Sequence, residues 1–226
     1  MISSSIAFLT PIPVKGDVEK LRRNLWVFTY TAVIIGLIIA IPDFVRQHLG
    51  VDIRFLAIAF YIAAEGINHI DGLIDFGDAI FAPESRKREA LKDTNTGAGG
   101  IAVAIIYFIL LYHALQNVDA VQVIFSQIAA KYSMLLIMAA SRPCWEGMAS
   151  YMMEFAGLRD LIFALPPVAV AGYLAGVKAA CALFFAILLV FAVKRYSDMK
   201  FGGINGDVIG ATNCLTFLSS LLIFTL

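Results

Sequence analysis

Apolar residues fill this chain in long runs, broken at a few points by prolines, glycines and clusters of charge, and the runs have the length of membrane-crossing helices. The first covers residues 26–41, with Trp26 as an interfacial anchor and Pro42 as a stop. A second covers residues 55–79 and is unusually polar in its latter half. A third starts at Gly97, Gly99 and Gly100 and continues to Leu115, and a fourth covers residues 121–140. Residues 161–175, 177–193 and 208–226 complete the set. The run at 161–175 is short and carries Pro166 and Pro167, so it is expected to be broken or re-entrant. Residues 1–23 hold only a short apolar segment, Ile6 to Thr10, expected to lie in the interface or to re-enter. The pattern predicts an all-α polytopic membrane bundle of about six to seven transmembrane helices. Residues 1–226 form one transmembrane domain, with 1–23 a cytoplasmic or interfacial segment.

Composition agrees. Sixty per cent apolar residues and a mean hydropathy of +0.83 exceed what a soluble domain carries and leave no room for a separate soluble unit. Net charge is zero, so placement matters more than sum. With the N-terminus inside, thirteen lysines and arginines fall in inner segments, against three in outer ones (Arg46, Arg54 and Lys178). That bias predicts a cytoplasmic N-terminus. The remaining cation, Lys131, stands in mid-span. Three cysteines without a CxxC spacing do not predict a zinc site or a disulfide framework. The N-terminus lacks a charged region followed by a cleavage site, so no removable signal peptide is expected.

Chemistry concentrates in Glu65 to Gly100. At about 100° per residue, Asp71, Asp75 and Asp78 share a sector of about 60° on one helix face, with Asn68 at its edge. Like charges so close repel unless a cation sits among them, and such oxygen ligands suit Mg²⁺, Mn²⁺ or Ca²⁺. A basic turn follows, Arg86, Lys87, Arg88 and Lys92, and then the glycines Gly97, Gly99 and Gly100, which let backbone and ligand approach closely. Metal, cations and glycines together predict a phosphate site. Two later segments lie on the same side. Residues 200–207, with Gly202, Gly203, Asn205 and Asp207, form a loop able to wrap a ligand while Asp207 caps the following helix. Residues 141–147 add Arg142 and Glu146, although composition alone favours a solvated loop there. Glu65 and Lys131 fall near mid-membrane depth and are expected to pair, either structurally or in binding. His69 lies on the Glu65 side of its helix, about 150° from the aspartate face. It is read as a hydrogen-bonded core histidine, with general base as the alternative.

These residues resemble a known family. HIDGLIDFGDAI, then KDTNTGAGG, then FGGINGDVIGA, together with the opening FLTPIPV, are similar to the cobalamin synthase family of adenosylcobinamide-GDP ribazoletransferases, from residue 8 to residue 211. Where that family has an arginine followed by an aromatic residue, this chain has Lys131 and Tyr132, which keeps the charge and loses the planar fork. The resemblance implies that a hydroxyl of α-ribazole, or of its 5′-phosphate, attacks the phosphoanhydride of adenosylcobinamide-GDP. GMP leaves and the nucleotide loop of cobalamin is completed. It implies Mg²⁺, with Mn²⁺ as a substitute, on Asp71, Asp75 and Asp78, and Asp93 or Glu65 as the next ligand. Asp78 or His69 takes the hydroxyl proton, and the sequence does not choose. Arg86, Arg88 and Lys92 hold the diphosphate or ribose, with Lys92 also a catalytic candidate. Asn205 and Asp207 hold the second substrate or the outer shell of the metal, and Asn68, Gly97, Lys131, Arg142 and Gly203 complete the substrate-binding candidates. The expected location is the prokaryotic cell (inner) membrane, multi-pass, with the active site facing the cytoplasm. Other enzymes of nucleotide-loop assembly are candidate partners, a homo-oligomer is compatible with the sequence, and nucleic acid is not an expected partner.

Two rival readings are weaker. A CDP-alcohol phosphotransferase would use the same metal and the same side of the membrane, but it expects an arginine after the first Asp-Gly, and Asp71-Gly72 is followed by Leu73, Ile74, Asp75 and Phe76. A transporter would line a path with Glu65 and Lys131, yet the acids and glycines cluster at one side instead of the midplane.

Overall fold

The computed structural model describes residues 1–93 and 95–226, and among these the chain is helical with no strand. It opens with α1 (Ile2–Leu9), α2 (Val18–Arg22), α3 (Val27–Ile39) and α4 (Ile41–Leu49). Then come α5 (Ala57–Glu65), α6 (Asn68–Phe81) and the short α7 (Lys87–Ala90). The second half holds α8 (Ala98–Asn117), α9 (Ala120–Ala140), α10 (Met148–Met153), α11 (Leu158–Phe163), α12 (Leu165–Ala175), α13 (Val177–Lys200) and α14 (Gly206–Thr225).

Five stretches among the described residues are long and apolar enough to cross a membrane: α8, α9, the continuous Leu158–Ala175, α13 and α14. Counting α3 and α4, which meet at a 48° bend, as one broken span gives six. The upper end of the expected six to seven is therefore not reached. The run at 55–79, read as one span, is two helices parted at Gly66, whose φ of 72° ends α5. A positive φ costs glycine little, so the break is local to that residue. The break expected from Pro166–Pro167 falls just before them: α11 ends at Phe163 and α12 starts at Leu165, although the two together still make one span of 18 residues. Both prolines sit in the first turn of α12, where their missing N–H groups leave no hydrogen bond undone.

Two helices form the centre. In the apolar stretches of α9 and α14, 72% is buried, against 28% or less in α8, Leu158–Ala175 and α13. Lipid and protein interior are equally apolar, so helices associate through close approach and small polar contacts. The Ser220 hydroxyl donates to Ser126 Oγ at 3.0 Å across the α9–α14 seam.

Helix α6 is clamped between α14 and α8 by backbone-to-backbone contacts. A Cβ built on Gly72 would stand 2.8 Å from Asp207 Cα, and one on Gly210 would stand 3.2 Å from His69 Cα. On the other side, a Cβ on Gly77 would stand 2.9 Å from Val103 Cγ2. Gly72→Val is accordingly expected to force α6 and α14 apart and to destabilise the protein by about 1–3 kcal/mol, with the loss read as a lower melting temperature in detergent. Unchanged melting would show that the crossing is slack.

The charged segments gather at one end of the bundle. Arg22 pairs with Glu154, and Arg88 donates to Cys144 O at 3.0 Å. Lys200 reaches Glu84 at 2.5 Å, and Arg142 donates to Gly202 O at 3.1 Å. Arg46, Arg54 and Lys178, the cations read as lying on the outer side, take no part in these contacts. They pair with Asp43, Asp52 and the carbonyl of Phe224.

Candidate active site

The three aspartates of α6 do share a helix, but they meet different neighbours. Asp78 faces α8. Its Oδ2 accepts the Gly97 N–H and its Oδ1 the Gly100 N–H, both at 2.7 Å. The first turn of α8 exposes unpaired N–H groups and no residue of its own caps them, so Asp78 serves as that cap from another helix. The glycines are what admit it, because a Cβ on Gly100 would stand 2.6 Å from Asp78 Oδ2. Gly97, read as a substrate-binding residue, thus gives its N–H to Asp78, and Asp78, read as ligand and base, accepts one hydrogen bond at each oxygen. Asp78→Ala is expected to lower stability by about 0.5–2 kcal/mol, measured by thermal unfolding, as for other lost helix caps. Wild-type melting in that variant would remove the capping role.

Asp71 and Asp75, by contrast, make no side-chain hydrogen bond among the described residues; Asp71 is exposed and Asp75 half-buried. Their companion comes from α14. Asn205 caps that helix, its Oδ1 accepting the Val208 N–H at 3.1 Å, so the capping expected of Asp207 falls to Asn205. The Asn205 amide also donates to Oδ2 of the half-buried Asp207 at 2.5 Å, and the Asp207 backbone lies against α6 beside Gly72. The carboxylate of Asp75 therefore lies in the repulsive field of Asp207 first and of Asp71, Asp78 and Asp93 after it. Among the described residues no three Asp, Glu, His or Cys side chains already stand in coordinating array. The donor set is still of the right kind. Mg²⁺ keeps several waters and is usually held by one or two carboxylates together with substrate phosphates, so a trio of unpartnered or singly bonded carboxylates suits it.

A cavity of about 750 Å³ opens beside this acid face. Asn68, His69, Asp71, Gly206 and Asp207 line its polar side, whereas Asp75 and Asp78 do not reach it. Glu65 also borders it, yet is only 2% exposed and already saturated. Lys131 donates to Glu65 Oε1 and Gln127 to Oε2, and the Asn213 amide donates to Oε1 at 2.7 Å while its oxygen accepts from Lys131 at 2.9 Å. His69 Nδ1 stands 3.0 Å from Glu65 Oε1. The expected Glu65–Lys131 pair thus exists, enclosed in a five-residue network. Buried charges need this degree of satisfaction in an apolar interior. It also keeps Glu65 away from the aspartates and Lys131, which is wholly buried, away from any phosphate. Gln127 and Asn213 went unread in the sequence, although polar residues in the middle of apolar runs were the available signal.

The basic residues hold loops together. Lys92 stands 4.7 Å from the centroid of Trp145, Arg86 meets Glu89 at 3.3 Å, and Arg88 and Arg142 donate to the carbonyls named above. Residues 141–147 are more ordered than a solvated loop. Cys144 N–H donates to Ile204 O and Ile204 N–H to Arg142 O, both at 2.9 Å, pairing that segment with the glycine loop before α14. Gly203, at φ 152°, is needed there because a Cβ would collide with Arg142 O. Asp93 is exposed, and the Asn95 backbone N–H and then its side-chain amide hold its carboxyl below the usual range. None of Arg86, Arg88, Lys92, Asp93 or Arg142 borders the cavity.

The sequence has close relatives. Residues 1–225 match the model of the cobalamin-5-phosphate synthase family. An adenosylcobinamide-GDP ribazoletransferase of Archaeoglobus fulgidus is 53% identical over 225 residues, covering 100% of this chain and 96% of its own length. A second from that organism is 50% identical, with 99% and 96% covered. One from Thermococcus kodakarensis is 34% identical, with 98% and 96% covered. No solved structure matches the chain.

Proposed function

The chain belongs to the cobalamin-5-phosphate synthase family, and on that membership we propose that it is an adenosylcobinamide-GDP ribazoletransferase whose site is the acid face of α6 and α14. A hydroxyl of α-ribazole, or of its 5′-phosphate, forms a bond to the phosphorus carried by adenosylcobinamide. The bond from that phosphorus to the bridging oxygen breaks, and GMP departs with the electron pair. Displacement of this kind depends on charge neutralisation and in-line placement more than on covalent help from the protein.

The observation that supports the residue assignment is that Asp71 and Asp207, from two helices locked backbone to backbone, both line the cavity, with Asp75 off the cavity but in the field of both. These carboxylates would hold Mg²⁺, or Mn²⁺ in its place, which would supply charge neutralisation for the diphosphate and for the departing GMP. Of the two base candidates, His69 is favoured: it borders the cavity and its ring lies 3.0 Å from the Glu65 carboxylate, without a hydrogen bond at Nδ1, while both oxygens of Asp78 are engaged. Glu65 and Lys131 act by holding the histidine and the helices around it. Arg86, Arg88, Lys92 and Arg142 hold the loops at the charged end of the bundle, and side chains released from those contacts would meet the guanosine diphosphate end. The distribution of lysine and arginine supports a topology in which the N-terminus and this end of the bundle face the cytoplasm of the prokaryotic cell.

Detergent-solubilised protein given adenosylcobinamide-GDP, α-ribazole and Mg²⁺ is expected to release GMP. Chelation with EDTA is expected to stop it and Mn²⁺ to restore part of it. GMP release that persists through chelation would remove the metal, and no release under any condition would remove the activity.

A further inference from the structure

We propose that the cavity between α1, α9 and α10 is the seat of the benzimidazole ring of α-ribazole, and that its methionines set the choice of base. The inference rests on the transferase reading above and adds which substrate occupies this space. The apolar part of the cavity lining includes Phe8, Phe28, Met134, Met138, Met148 and Met152. Met134 and Met138 are four residues apart on α9, and Met148 and Met152 four apart on α10, so each pair shares one helix face. Two helices thus turn methionine pairs toward one space. Met134, Met138 and Met152 are buried, and Met148 is exposed at the rim.

Thioethers are polarisable, fill irregular gaps and make favourable contacts with aromatic rings. They offer almost nothing to a ring rich in hydrogen-bonding groups. Guanine placed here would leave its donors and acceptors unpaired at a cost for each. A dimethylbenzimidazole, flat and largely apolar with two methyl groups and no exocyclic polar atom, has a single ring-nitrogen acceptor to satisfy and loses far less. At about 750 Å³ the cavity has the size of a small-molecule pocket and suits one heteroaromatic nucleoside, whereas a corrin with its amide side chains exceeds it. With the ring among the methionines, the ribose lies toward Asn68, His69, Asp71 and Asp207. That puts its hydroxyls on the side where the diphosphate is to be held.

Ala149, half-buried on α10 and part of the same lining, offers a way to fill the cavity from a short surface helix. Ala149→Phe is expected to weaken direct binding of α-ribazole, followed by the fluorescence of its ring, by about tenfold or more, with the KM for adenosylcobinamide-GDP unchanged. Met138→Ala provides a second reading. It is expected to lower the preference for α-ribazole over the riboside of unsubstituted benzimidazole by about tenfold, because the space vacated by the thioether no longer grips the two methyl groups. Equal binding of α-ribazole by wild type and A149F, binding by neither, or an unchanged base preference in M138A overturns the inference. A rise in the KM for adenosylcobinamide-GDP alone in A149F also overturns it, and gives the cavity to the corrinoid substrate. GMP release by the wild type is scored separately, so failure of the transferase reading is distinguishable from failure of this one.

Discussion

Asp75→Asn is expected to lower GMP release by about 10²- to 10³-fold while the protein folds and melts as the wild type does or slightly higher. The kinetic half follows from the role of the carboxylate: removing one preorganised charged group aimed at a reacting centre typically costs that much. The stability half follows from its surroundings. Asp75 makes no side-chain hydrogen bond among the described residues and sits in the field of Asp207, Asp71, Asp78 and Asp93, so its charge opposes folding and its removal relieves repulsion. A site that sacrifices stability for function behaves in this way, and a structural residue does not. Asp78→Ala supplies the contrast, since its two N–H bonds assign it stability. The measurement is GMP release at saturating Mg²⁺ beside a melting curve for each variant. Full turnover by D75N would take Asp75 out of the site and leave the acid face without its central member.

How much of this was legible in the sequence depended on whether the signal was local. Helices α8, α9 and α14 follow apolar runs read within a few residues of their observed ends, because run length in an apolar solvent is nearly sufficient to fix them, whereas α13 continues past its apolar run at Val193 to Lys200. The α5–α6 break was not legible, since it turns on the φ of one residue, Gly66, inside an otherwise continuous run. The acid face was half legible. Helical spacing puts Asp71, Asp75 and Asp78 on one side of α6, but spacing says nothing of what faces each of them. The N–H groups that take Asp78 belong to Gly97 and Gly100 on α8, and the carboxylate that joins Asp71 and Asp75 belongs to Asp207, at the start of the last helix. Glycines read as room for a ligand are instead room for a neighbouring helix, and a single sequence carries both meanings alike. Pairing Glu65 with Lys131 succeeded because an apolar interior leaves buried charges few alternatives.

That pair sets up the second large effect. Lys131→Met is expected to destabilise the protein by about 3–5 kcal/mol, the usual consequence of removing one partner from a buried ion pair. Both side chains are fully buried, and in the single variant the Glu65 carboxylate keeps only the neutral donors Gln127 and Asn213, with His69 beside it. Glu65→Gln with Lys131→Met removes both charges together, and much of the loss is expected to return, because apolar or neutral replacements of a whole buried pair often cost little. The cycle of wild type, two single variants and the double is read by denaturation in detergent, and the coupling term isolates the pair from the bulk of the side chains. Activity separates the remaining possibilities. If the network only fastens α5 to α9 and α14, the stable double variant turns over normally. If Glu65 orients His69, the double variant folds and still releases GMP slowly, with its pH profile displaced, since glutamine cannot stabilise the imidazolium that proton transfer creates. Equal stability of all four proteins would mean that the charges are not enclosed, and the helix packing around Lys131 would then be wrong.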